Sequence, residues 1–277
     1  MTPGERAEAL IARFSISDPR DIDMEAIALD AGVEVEYHQL SGCEATLVGV
    51  GDQAIATIKP SSISGRERFS IAHELGHWEL HRGRSFRCRV DDLDDNLASD
   101  KALEKEADSF AAHLLMPANL FLPAVKVLGN PGFREIDGLA QQFDTSRLAT
   151  CIRIADVNTL PVLLACYTQR GLRWFKASTD IPRRWWLKSQ LDEDSFAYDL
   201  VFQGKQPGAA RKQSASVWFD NDDADEYEVS EHCVQSKTGE ILVLIYLSTN
   251  MFYAKFDPGV GNRKYNEHGS YVPRRVR

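Results

Sequence analysis

Apolar positions change their spacing several times along this chain, and each change predicts a new element. Residues 3–14 and 22–31 carry apolar side chains at helical spacing, the second stretch closed by Gly32. "VEVEYHQL", "ATLVGVG" and "QAIATIKP" follow, three β-rich runs cut by glycines that predict a small antiparallel sheet. Helical spacing returns in "SSISGRERFSIAHELGHWELHRG", where Phe69, Ala72 and Leu75, with Ile71 beside them, form the apolar side. Ser64 with Glu67 three residues on predicts a capping box, a start near residue 65 and a stop at Gly83. Residues 84–99 are polar, acidic and without period, which predicts a loop. "DKALEKEADSFAAHLLMP" is a second long helix with a core stripe of Leu103, Ala107, Phe110, Ala111, Leu114 and Leu115, and Pro117 ends it or opens the next segment.

Residues 130–154 read as two short helices separated by a turn at Asp144–Ser146. From about residue 160 the texture becomes strand-like: "LPVLLACYTQ", "LRWFKAS", "SASVWFD", "EYEVSEHCV" and "EILVLIYLS", with one helix around 192–202. The expected class is α+β, divided as 1–130, a helix-turn-helix-like segment 131–157, and a smaller α+β unit 158–277. The tail "KYNEHGSYVPRRVR" is polar and expected to fray. Neither an internal repeat nor a low-complexity tract is present.

Composition narrows the function classes. With 277 residues, 43% hydrophobic and 26% charged, the chain suits a globular protein of one or two domains. No run approaches the roughly 20 apolar residues of a membrane span, and the opening "MTPGERAEALIARF" lacks the uninterrupted apolar core of an export signal. A cytoplasmic protein without a membrane partner is expected. Five cysteines, scattered and without a CxxC pair, point to reduced thiols and away from both disulfides and a cysteine metal site. A net charge of −9 works against nucleic-acid binding by the molecule as a whole.

Candidate chemistry concentrates in "SIAHELGHWELH". On a helix, His73 and His77 lie one turn apart on one face and can point both imidazoles at one ion. Glu74 sits to the side, where its carboxylate can take a proton from water that the ion polarises, and Gly76 keeps that face open for substrate backbone. HExxH alone also fits an exposed polar helix face, so a third ligand decides. His81 lies about 12 Å along the axis from His73 and cannot share an ion with both, leaving it a structural or substrate-side role. The metzincin pattern fails because Leu80 stands where its glycine belongs. Of Glu104 and Glu106, which point to nearly opposite faces, Glu104 has Asp108 four residues on. Glu104 is therefore the expected third ligand, Asp108 the group that holds a ligand histidine's second nitrogen, and Glu106 a surface residue.

"RERFSIAHELGH" followed by "EKEADSFAAHLLMP" resembles the ImmA/IrrE family of metallo-endopeptidases, similar in core to gluzincins such as thermolysin, over roughly residues 20–155. The resemblance implies a Zn²⁺ site, with Mn²⁺ as the other candidate ion, and cleavage of XRE-type transcriptional repressors in DNA-damage or mobile-element responses. It implies that "AIATIKP" is the strand beside the active-site helix, where an extended substrate can pair. Residues 134–154 resemble the helical pair of longer family members, and the half beyond 160 resembles their C-terminal extension, which in one branch is a GAF-type sensor. A repressor domain fused to this chain is not expected, so the expected substrate is a separate protein.

Other motifs invite plainer readings. "LAQQFDTSRLATCIRIAD" has the outline of a helix-turn-helix, but Arg147 and Arg153 stand among apolar and small residues. Direct DNA binding is not expected. "RRWW" at 183–186 reads as core plus rim, and the acidic stretch 91–100 as a solvated loop that can meet a basic substrate. His113, His232 and His268 stand alone; one of them is a candidate for stabilising an oxyanion. The alternative to a zinc endopeptidase is a non-proteolytic regulator that keeps the fold and binds a repressor or DNA. An intact Glu74 favours the enzyme.

Overall fold

The computed structural model describes residues 1–82, 86–89, 98–206, 210–236 and 239–253, without the side chains of residues 64, 86–89 and 98–100. The chain forms two compact units. One comprises Met1–Val127 with Ile136–Arg153, the other Leu128–Glu135 with the chain from Ile154 on. The class is α+β.

In the first unit, α1 (Pro3–Ala12) begins with a capping box between Thr2 and Glu5, and α2 (Met24–Asp30) is capped by Asp23. Gly32 then takes a φ of +84°, the left-handed turn that lets the chain leave α2 for β1 (Val33–Tyr37). The strands β2 (Cys43–Val50) and β3 (Gln53–Ile58) form a hairpin, and β4 is Phe86–Arg89. The sheet order is β1-β3-β2-β4. Three expectations change here. The sheet is mixed, since β1 runs parallel to β3. Part of the expected acidic loop is strand β4, paired antiparallel to β2; residues 90–97 lie outside the described residues. And β3, the "AIATIKP" strand, is hydrogen-bonded on both sides, by β1 and β2, so it has no edge for a substrate strand.

The long helices are α3 (Ser64–Leu80) and α4 (Ala98–Leu115). Ser64 is the first residue of α3 and not the cap residue expected of the capping box. The N-cap is Ile63, and the Glu67 carboxylate instead accepts the backbone N–H of Ser61 at 2.6 Å. Gly83 lies outside the described residues. The apolar stripe of α4 is buried at Ala107, Phe110, Ala111, Leu114 and Leu115, and the last four pack with Ile71, Ala72 and Leu75 of α3 and Leu47 of β2 into one core. The indole N–H of Trp78 donates to the Ala31 carbonyl at 2.8 Å, tying α3 to the end of α2.

Helix α5 (Ala118–Leu128) turns by 72° from α4 at Pro117, and among the described residues no single helix is long and apolar enough to cross a membrane. Then come α6 (Phe133–Gln142) and α7 (Arg147–Asp156), the expected pair, with Asp144 at φ 48° in the turn. Arg147 forks onto Asp137 at 2.6 and 2.7 Å. Arg153 is 2% exposed and donates to the Met116 carbonyl, His113 and Glu8. His113 thereby has both ring nitrogens engaged, by Glu8 and by Arg153, and is a structural group instead of a candidate for oxyanion stabilisation.

The second unit holds an antiparallel five-stranded sheet in the order β6-β5-β9-β8-β7, with β5 (Val162–Thr168), β6 (Gly171–Ala177), β7 (Arg211–Ser214), β8 (Glu228–Gln235) and β9 (Ile241–Leu247). Every residue of β9 is buried, as its unbroken apolar run requires. Helix α8 (Phe196–Phe202) is capped by Ser195. "SASVWFD" is not a strand: β7 ends at Ser214 and Ala215–Val217 is a 3₁₀ turn. It delivers Trp218 to the core, where its N–H meets the buried Glu231 carboxylate. Trp185 is buried and Trp186 is 41% exposed, the core-and-rim pair expected of "RRWW". His268 and the C-terminal tail lie outside the described residues.

The buried Arg153 staple should carry much of the first unit's stability. Arg153→Met is expected to destabilise that unit by about 3 kcal/mol, the low end for breaking a buried charge pair because Glu8 keeps some contact with water. Chemical denaturation should show a lower midpoint with an unchanged slope.

Candidate metal centre

Helix α3 presents His73 and His77 on one side, 7% and 0% exposed, facing α4. The two Nε2 atoms stand 3.1 Å apart. Glu104 of α4 reaches between them, Oε2 at 3.1 Å from His73 Nε2 and Oε1 at 3.3 Å from His77 Nε2. All three residues offer a ligand atom within 4.8 Å of the others, the one such cluster among the described residues. Asp108, one turn on, sits with Oδ1 3.0 Å from His73 Nδ1.

These donors suit a cation. The Asp108 carboxylate can only accept, so the facing Nδ1 of His73 carries the proton and its Nε2 offers a lone pair. That lone pair converges with His77 Nε2 and a carboxylate. A tetrahedral ion with bonds of about 2.0–2.1 Å places its ligands about 3.3 Å from one another, close to the separations here. The two imidazoles beside it hold the Glu104 carboxyl well below its ordinary range, and burial holds His77 towards its neutral form. Carboxylate and neutral imidazole are the forms that bind metal.

Glu74 is fully buried in the wall of a cavity of about 350 Å³ that His73, Glu104 and Asp108 also line, with Glu44 and Ala45 of β2 and Arg66 and Phe69 of α3. A second cavity of about 360 Å³ shares Arg66 and Phe69 and is walled by Ala112, Leu115 and Met116. The strand at the site is thus β2, whose outer partner over Cys43–Leu47 is β4.

The structure brings together His73, Glu74, His77, Glu104 and Asp108, all expected from the sequence. It revises two neighbours. Gly76 does not keep the substrate side open; a Cβ there would meet Ala107 Cα at 3.1 Å and Ala107 O at 3.2 Å, so the glycine permits the close approach of α3 and α4. Glu106 is not a bare surface group. Its Oε2 lies 2.9 Å from His81 Nε2, and His81 Nδ1 lies 3.2 Å from His77 Nδ1. The sequence held a signal for this contact in the unbroken four-residue ladder His73, His77, His81.

The family described as the IrrE N-terminal-like domain, a peptidase family, matches residues 30–155. The matched segment is a little under half of the chain. The matched stretch covers every donor above, and the family it matches is metallopeptidase-like. Among solved structures, a transcriptional regulator from Mycobacterium tuberculosis is similar with a TM-score of 0.59 and 16% identity, over 88% of this chain and 76% of that one. At that identity the likeness speaks for the fold. No curated protein matches in sequence.

Because the donors come from two helices, their meeting depends on Gly76. Gly76→Ala is expected to cost about 1–3 kcal/mol by overpacking, despite alanine's better helix propensity. It should also weaken divalent-metal binding, measured by chelator competition, since moving α4 outward carries Glu104 away from the histidines.

Proposed function

We propose that this protein is a zinc-dependent endopeptidase that cleaves a specific protein substrate, an XRE-type transcriptional repressor, in the cytoplasm. The observation that carries this reading is the convergence of His73, His77 and Glu104 with Glu74 buried beside them in one open cavity. Zn²⁺ suits two imidazoles and one carboxylate, and Mn²⁺ is the alternative ion. A divalent ion supplies a Lewis acid that polarises a peptide carbonyl and eases deprotonation of water.

The chain's own residues do the rest. Glu74, adjacent to His73 but outside the donor triangle, receives a proton at its carboxylate and passes it to the leaving amine. Asp108 fixes the His73 ring by accepting its Nδ1–H. The apolar cavity behind Phe69 gives an apolar substrate side chain a place beside the scissile bond. The substrate class follows from the ImmA/IrrE resemblance. Direct DNA binding stays outside the proposal, because Arg153 is buried and Arg147 is held by Asp137. Residues 158–277 are assigned a regulatory or substrate-recruiting role, with 1–130 as the peptidase and 131–157 as the helical pair.

Two substitutions test the chemistry together. Glu104→Ala should lose the metal, read by elemental analysis of the purified protein. Glu74→Gln should keep metal and fold but cleave XRE-type repressors about 10²–10⁴-fold more slowly, read by mass spectrometry of the products. Wild-type cleavage by Glu74→Gln would remove Glu74 as the base, and absence of cleavage by the wild-type protein would leave the binding regulator as the better description.

A chain ending at residue 157 keeps every donor and should still bind metal while cleaving the repressor poorly. Loss of metal binding by that soluble fragment would show that the second unit is needed to build the site.

A further inference from the structure

We propose that His81 and Glu106 form a relay that holds His77 as a metal ligand, so that α4 steers both histidines of α3 and not His73 alone. This rests on the metal reading of the site. The protons can be placed one link at a time. A carboxylate only accepts, so His81 Nε2, 2.9 Å from Glu106 Oε2, carries the proton. A neutral imidazole protonated at Nε2 has its lone pair at Nδ1. That atom stands 3.2 Å from His77 Nδ1, a separation that calls for one N–H between the two nitrogens. His77 Nδ1 therefore donates, and the His77 lone pair is left on Nε2, the atom that faces His73 and Glu104.

Asp108 does the same for His73 in a single link. The second histidine gets its carboxylate through an extra ring because Glu106 reaches α3 one turn further along, at the helix end where His81 is the C-cap residue. The His81 side chain is 6% exposed, so water has little access to replace either bond. Glu106 is 49% exposed and contributes its charge from the rim. Orientation of a ligand imidazole through its second nitrogen is commonly worth 10–100-fold in metal affinity.

The test loads the full-length protein with Co²⁺ and measures both its dissociation constant, by chelator competition, and its visible absorption bands, which report the ligand field. His81→Phe keeps the ring and removes both nitrogens; Glu106→Ala removes the acceptor from an exposed position; Glu106→Gln restores an accepting oxygen. The relay predicts affinity lowered about 10–100-fold with shifted bands in His81→Phe, a smaller loss in the same direction in Glu106→Ala, and recovery towards wild type in Glu106→Gln. If His81→Phe fails to fold, the two Glu106 variants carry the test. Unchanged affinity and bands in both His81→Phe and Glu106→Ala would overturn the relay. A change in His81→Phe alone would overturn the part given to Glu106. A wild-type protein that binds no Co²⁺, Zn²⁺ or Mn²⁺ would overturn the metal reading itself.

Discussion

The contact between α3 and α4 at Gly76 and Ala107 sets the terms for the rest of the first unit. Donors carried on two different helices must converge to about 3 Å, and ordinary helix pairs stand 8–10 Å apart at their axes. A Cβ at position 76 would stand 3.1 Å from Ala107 Cα, tighter than ordinary contact, so glycine lets the helices close here without a shift of α4. Everything packed around them holds that closure. Ile71, Ala72 and Leu75 meet Phe110, Ala111 and Leu114 in one core, and Trp78 pins the far end of α3 to the Ala31 carbonyl.

Closure creates an electrostatic problem that defines the site. Two nearly buried imidazoles, a third histidine beside them, and Glu74, Glu104 and Asp108 share a small volume in a protein of net charge −9. Burial favours neutral imidazole at His77, while Glu104 is held ionised by the same histidines. Lone pairs and negative charge then face one point, and a divalent cation is the natural counter-charge. The carboxylates at the back of the cluster orient the rings. Asp108 does so directly and Glu106 lies against His81.

The helical pair α6–α7 shows why an outline is not a function. Its spacing matches a helix-turn-helix, and its two arginines look available in the sequence. Tertiary packing takes both: Arg147 forks onto Asp137, and Arg153 is buried among Glu8, His113 and the Met116 carbonyl. The guanidinium of Arg153 thus ties together α1, α4 and the turn between α4 and α5, a task for which its charge and five donors suit it.

Much of the site was legible in the sequence because it is local. His73, Glu74 and His77 lie within five residues and Glu104 with Asp108 within another five, so helix geometry alone places each set on one face. The apolar stripes of α3 and α4 and the strands β5, β6, β8 and β9 follow from periodicity for the same reason. What depends on contacts between distant segments was not legible. The parallel pairing of β1 with β3, the addition of β4 to β2, and hence the loss of β3 as a docking edge are choices among strand partners that period-2 patterns do not encode. Gly76 reads from sequence as an open face, yet its role is decided by the Ala107 backbone arriving from thirty-one residues away. Glu106 looked like a solvated glutamate until the fold set His81 against it. The sequence determined which residues share a helix face; only the tertiary structure decided what each face meets, because pairing between segments depends on the packing of the whole chain rather than on local dihedral preference.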